Sequence, residues 1–111
     1  MKGSYLGEFQ EIVLLAVLVL REGAYGVSIQ KEIAERTGRT ISRGALHSAL
    51  SRLEDKGFLK SRLGEATKVR GGKSKKYYEC SQSGVASLHE AEANRQQFHK
   101  SLVNLNFRSA I

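Results

Sequence analysis

The residues with the most to offer chemically lie between Ser42 and Leu53, in the run Ser-Arg-Gly-Ala-Leu-His-Ser-Ala-Leu-Ser-Arg-Leu. Ser42 is a suitable N-cap, because its hydroxyl can accept a bond from an orphan amide of the first helical turn. Ala45, Leu46, Ala49, Leu50 and Leu53 follow at helical spacing and form one apolar stripe. At about 100° per residue, the opposite face carries Gly44, His47, Ser48 and Ser51, with Arg43 and Arg52 on its flanks. These side chains are small, polar or basic, and the acids Glu54 and Asp55 come at the far end. Arginine presents a fork that matches guanine edges or phosphate oxygens, and short donors leave room for close approach. A helix with an apolar back and such a front suits a DNA major groove.

Enzyme chemistry is a poor match to the same sequence. His47, His89 and His99 have neither metal-ligand spacing with Cys80 nor a nucleophile and acid arranged around them. Each histidine is expected to be a polar surface or interface residue, and neither a cofactor nor a metal is expected. Cys80 is the single cysteine, so no internal disulfide can form, and it reads as a small strand residue in a cytoplasmic protein. Ile12–Leu20 is apolar but follows Glu8 and Glu11, lacks a cleavage pattern and is too short to span a bilayer. It is expected to be a buried helix, with no membrane partner.

The elements that must position the Ser42–Leu53 face follow from periodicity. A first helix is predicted from Ser4 to about Arg21, with Leu6, Phe9, Val13, Ala16, Val17 and Leu20 on its apolar face. Gly23-Ala24-Tyr25-Gly26 interrupts it. A second helix runs from about Val27 to Thr37, with Ile29, Ile33 and Ala34 inward, and Gly38 stops it. Thr40-Ile41 is expected to be a very short strand or an extended link. The third helix reaches about Lys56, ended by Gly57.

Beyond Gly57 the period becomes two. Leu59, Ser61 and Leu63 alternate with Lys60 and Arg62 as a half-buried strand, and Lys75 to Cys80 resumes the alternation around Tyr77 and Tyr78. The loop from Gly64 to Ser74 is expected to be mobile at its Gly71-Gly72 tip without a partner. Three helices followed by a basic hairpin make a winged helix, a mainly α (α+β) fold. Ser81 then caps a last helix from Gln82 to about Phe107. Leu88, Ala91, Arg95, Phe98, Leu102 and Leu105 recur along it at steps of three and four, the seam of a coiled coil. A second copy of the chain is the expected partner, which divides the protein into a winged-helix domain (1–81) and a dimerisation helix (82–111).

At 111 residues and 26% charged residues the chain is one globular domain with a net charge of +7. Residues 39–76 hold eleven Lys and Arg against three acids, a balance of +8, and the remainder is slightly acidic. All the excess charge therefore lies on the third helix and the hairpin, as a nucleic-acid footprint requires. The hairpin alone places seven bases against Glu65 between residues 60 and 76, a cationic arm for phosphates or the minor groove. The rival from another class is a winged-helix module whose basic face docks an acidic protein. RNA binding lacks a visible aromatic platform, since Tyr77 and Tyr78 suit hairpin packing.

Taken together, the chain resembles the PadR family of bacterial transcriptional regulators. The resemblance rests on Leu6-Gly7-Glu8-Phe9, Ala24 to Ile29, Ser42 to Leu46, Arg52 to Gly57 and Arg70 to Tyr78, in the family's order and spacing. It implies a winged-helix homodimer that binds a palindromic operator in double-stranded DNA, usually as a repressor. It also implies that the first and last helices build the dimer, which adds Leu6 and Phe9 to the seam, and that a small-molecule effector can release the DNA. The chain has no tryptophan, and no effector pocket is carried over. The expected DNA-contacting set is Tyr25, Ser28, Arg39, Thr40, Ser42, Arg43, Gly44, His47, Ser48, Ser51, Arg52, Arg70, Lys73, Lys75 and Lys76. His47 stands where the family usually has a tyrosine that touches the DNA backbone. Histidine can still donate to a phosphate, with shorter reach.

Overall fold

The computed structural model describes residues 6–64 and 75–109, with side chains up to residue 105. Helix α1 (Glu8–Leu20), a short 3-10 turn (Arg21–Gly23), α2 (Gly26–Thr37) and α3 (Arg43–Asp55) precede an antiparallel hairpin, β1 (Leu59–Leu63) and β2 (Lys76–Cys80), and a last helix, α4 (Gln82–Ser109). This is the winged helix-turn-helix order expected from the periodicity. Helix α1 starts at Glu8, with Gly7 as its cap, rather than at Ser4, and ends at Leu20, where Arg21 takes φ 55°.

The core lies where α1, α2, α3 and the hairpin meet. Val13, Leu14, Val17, Ile29, Ile33 and Leu53 are its largest fully buried side chains, joined by Leu46, Leu50, Phe58, Leu59 and Tyr78. Three local signals behave as the sequence predicts. Gly38 takes the left-handed conformation (φ 75°) and its amide donates to Ala34 O. Gly57 does the same at φ 80° where α3 turns into β1. Ser81 Oγ accepts from the Gly84 amide at 3.1 Å and so caps α4.

Several expectations need correction. Ala34 and Ala45 are exposed, because each lies at the edge of its helix's apolar stripe, beyond the reach of the neighbouring element. Leu63 is 71% exposed, at the opposite end of β1 from the buried Leu59. The Ile12–Leu20 run is buried on one side only, and Leu15, Leu18 and Val19 remain 39–45% exposed. Of the two readings left for Thr40-Ile41, the extended link is the one found, and Ile41 O accepts from Gln30 Nε2 at 2.6 Å, which pins the link to α2. The sheet has two strands, and an isolated bridge ties Ala24-Tyr25 to β2, where Tyr78 N–H donates to Ala24 O at 2.8 Å and Tyr25 pairs with Tyr77.

The first turns of α4 belong to the same core, since Ser87 and Leu88 are buried and the helix starts against the α3–β1 turn. Ser81 Oγ and Ser83 Oγ both donate to Gly57 O, at 2.6 and 3.0 Å. Gly84 lies so close to Phe58 that a Cβ there would strike the Phe58 carbonyl oxygen and sit 2.8 Å from Cys80 Sγ. The obstacle is backbone, so it cannot rotate away. Gly84→Ala is therefore expected to cost about 1–3 kcal/mol and to lower the thermal midpoint by at least about 4 °C. Calorimetry or circular dichroism melting checks this; an unchanged midpoint would mean that α4 does not start so close to the turn.

Candidate nucleic-acid interface

Helix α3 is built as its sequence requires. The Ala45 amide donates to Ser42 Oγ at 3.0 Å, closing the N-cap. Leu46, Ala49, Leu50 and Leu53 face the core. Arg43, Gly44, His47, Ser48, Ser51 and Arg52 are all exposed on the other side. A Cβ built on Gly44 meets nothing within 4 Å, so the helix there is bare backbone open to solvent.

A cleft of about 570 Å³ opens beside this face, between the start of α2, the start of α3 and β2. Its floor is apolar, formed by the buried Leu46, Leu50 and Tyr78. Exposed cationic or polar side chains stand around it: Arg43 and His47 from α3, Lys75 and Lys76 from the hairpin. Six residues expected from the sequence thus meet at one place: Tyr25, Arg43, Gly44, His47, Lys75 and Lys76. Ser48, Ser51 and Arg52 continue the exposed face along α3, away from the cleft.

Other expected residues are engaged within the chain. Ser28 Oγ accepts from the Tyr25 amide at 2.9 Å and donates to Gly23 O at 2.5 Å, so it holds the start of α2. Arg39 Nη2 binds both oxygens of Glu8, at 2.8 and 3.0 Å, in an exposed pair. Thr40 is exposed in the link between α2 and α3. Arg70, Lys73 and the loop expected to be mobile lie outside the described residues.

Aromatic rings order the hairpin base. Lys75 Nζ is 4.2 Å from the Tyr25 ring, which meets Tyr77 edge-on at 5.4 Å, and the Arg62 guanidinium is 5.0 Å from Tyr77. Such cation–π contacts hold two cations at the hairpin base without neutralising them. Burial pushes the Tyr78 hydroxyl and the Cys80 thiol up from their ordinary pKa values, so both remain protonated at neutral pH.

Sequence reasoning missed Val27 and Glu54. Val27 is 51% exposed at the cleft, an apolar side chain among cations. Glu54 accepts a short bond from Ser61 Oγ and pairs with Lys76 Nζ at 3.5 Å. The bond from Ser61, with Lys76 as a smaller influence, holds the Glu54 carboxyl below its usual range. An acid within a basic footprint was a visible signal, although its partners were not.

Residues 14–90 match the transcriptional regulator PadR-like family. The chain belongs to this family. PadR-like proteins are transcriptional regulators rather than enzymes. An uncharacterized protein of Lysinibacillus sphaericus is 34% identical over 86 residues, covering 76% of this chain and 74% of that one. A PadR family transcriptional regulator from Eggerthella lenta has the same fold at a TM-score of 0.68 and 31% identity, over 88% of this chain and 85% of its own. Bacillus subtilis PadR, solved in complex with operator DNA, matches at a TM-score of 0.61 and 24% identity. That match covers 75% of this chain and 45% of PadR and supports the shared fold.

The seam expected on α4 divides in this PadR-like chain. Leu88 is buried in the domain's own core, and Ala91 is half-buried. Arg95 reaches back to α1 and binds the buried Glu11 through two bonds of 2.5 and 2.7 Å, which raises the arginine's pKa further. Phe98, Leu102, Val103 and Leu105 are exposed, at 77, 58, 48 and 58%. Leu6 and Phe9 pack partly against the core. Among the described residues, no helix is long and apolar enough to cross a membrane, and no group of His, Cys, Asp and Glu could hold a metal.

Proposed function

We propose that this chain is a DNA-binding repressor that acts in the cytoplasm as a homodimer on a palindromic operator. Helix α3 enters the major groove, and the basic hairpin engages phosphates or the adjacent minor groove. The observation that carries this reading is the convergence of the bare α3 face with Arg43, His47, Lys75 and Lys76 around one cleft. A helix with its side chains is about 10–12 Å across, which fits a major groove about 12 Å wide. Cations on both sides of the helix then lie where phosphates border the groove. The family membership and the DNA-bound state of Bacillus subtilis PadR support the same partner.

Dimerisation is supported by apolar surface that the single chain leaves uncovered: Phe98, Leu102, Val103 and Leu105 on α4, and Leu15, Leu18 and Val19 on α1. A two-fold interface presents two α3 helices related by the same axis, so the DNA they read is palindromic. A dimer bound there regulates by occupying the site, and a small-molecule effector releases it. Residues 1–81 read the DNA, and residues 82–111 join the copies.

Selection from a randomised duplex library tests this, followed by titration of the enriched duplex. A dimer making about six phosphate contacts should lose roughly a thousandfold in affinity between about 50 and 200 mM salt. The enriched sequence should be palindromic. No enrichment, or salt-insensitive binding, would instead favour a module that docks an acidic protein.

A further inference from the structure

The run Arg52-Leu53-Glu54-Asp55-Lys56-Gly57 contains one residue whose place the reading above does not explain. Leu53 is core and Gly57 makes the turn. Glu54 has neither job. It stands at the C-terminal end of α3, yet its carboxylate binds one residue of each hairpin strand, Ser61 of β1 and Lys76 of β2. In the hairpin register Ser61 faces Tyr78 and Leu63 faces Lys76, so Ser61 and Lys76 project from the same face of the sheet. The Glu54 side chain is 29% exposed, which leaves its ion pair only partly screened by water.

From this juxtaposition we propose that Glu54 is a positioning residue for operator recognition: its carboxylate locks the base of the hairpin to α3 and holds Lys76 back from the phosphates. The proposal rests on the DNA-binding reading and adds two separable roles to it. The bond to Ser61 fixes where the hairpin stands relative to α3. A hairpin that shifts cannot meet phosphates while α3 reads bases, so loss of this bond harms operator more than random DNA. The negative charge acts differently: it holds Lys76, whose phosphate contacts carry no sequence information, so its removal frees that lysine and strengthens both kinds of DNA alike.

Three variants separate these roles, each titrated on the selected operator and on a random duplex at several salt concentrations. E54Q keeps an oxygen for Ser61 but loses the charge. It should bind both duplexes about three- to tenfold more tightly, with a salt slope steeper by up to about one unit and an unchanged operator preference. In E54Q combined with Lys76→Ala the gain should vanish. Ser61→Ala and Glu54→Ala cut the tie to β1 and should lower the operator-to-random ratio by about tenfold. Without DNA, both should also speed amide exchange across β1 and β2, a readout that stands even if no operator is found. Wild-type exchange rates in Ser61→Ala and Glu54→Ala would overturn the positioning role, as would a wild-type operator ratio. A gain in E54Q that persists without Lys76 would overturn the restraint on that lysine. A wild-type protein with no preference for any duplex would instead sink the DNA-binding reading itself.

Discussion

Gly44→Leu should give a protein that folds at least as well as wild type yet binds operator at least about a hundredfold more weakly. The separation of folding from binding is what makes the test informative. Nothing lies within 4 Å of a Cβ at this position, so a side chain here starts into open space. Leucine also favours a helix over glycine by somewhat less than about 1 kcal/mol, so the thermal midpoint should hold or rise. The loss comes from the groove side, where an isobutyl group would stand between α3 and the base edges. Binding would fall back toward the non-specific level, which typically lies about 10³–10⁷-fold below specific affinity. Arg43→Ala, at the first turn of the same exposed face, should cost about 1–3 kcal/mol of operator binding. Arg21→Ala, outside the basic region, is the control. Titration of labelled operator, with circular dichroism of each variant, decides the matter. If Gly44→Leu and Arg43→Ala both bind like wild type, α3 is not the reader.

Phe98→Asp combined with Leu102→Asp should convert a dimer into a monomer. These side chains are 77 and 58% exposed on an isolated chain, and Leu105 and Val103 extend the same apolar segment. Burying a side chain of this kind contributes about 1.5–3 kcal/mol, and a two-fold interface uses each position twice. Introducing carboxylates replaces that gain with the cost of desolvating like charges. The substitutions touch nothing in the domain core, since α4 is held to its own domain by Leu88 and by the Arg95–Glu11 pair closer to its start. Light scattering across micromolar concentrations should therefore give one chain mass for the variant and two for the wild type. Operator affinity should fall by at least about a thousandfold, because one α3 then binds a half-site alone. A wild-type mass of one chain, or an undiminished mass in the variant, would place the interface elsewhere.

Much of the candidate site was legible because its signals are local. The Ser42 cap joins atoms three residues apart. Gly38 and Gly57 mark helix ends through their own φ angles. The bare face of α3 follows from residue spacing, and the excess charge is a property of composition along the chain. Local pattern was weaker at the margins of the stripes. Ala34 and Ala45 have the right spacing to face inward, but alanine is short, and whether it is covered depends on a neighbour in another part of the chain. Leu15, Leu18 and Val19 fall outside the inward face predicted from Val13, Ala16, Val17 and Leu20, yet they belong to a run apolar all round, so composition alone would have buried them too.

The sequence by itself thus determined the order of elements, the third helix with its cap and its small, basic face, and the segment that carries the positive charge. The tertiary structure alone decided the pairs that join distant residues. Glu11 meets Arg95 across 84 positions, Glu8 meets Arg39 across 31, and Glu54 meets Lys76 across 22. It also decided that Ala24-Tyr25, rather than Thr40-Ile41, bridges to the hairpin. The physical reason is range. Caps, turns and helical faces are set by backbone geometry within a few residues, whereas a carboxylate finds its cation only after the core has closed and fixed which surfaces face each other.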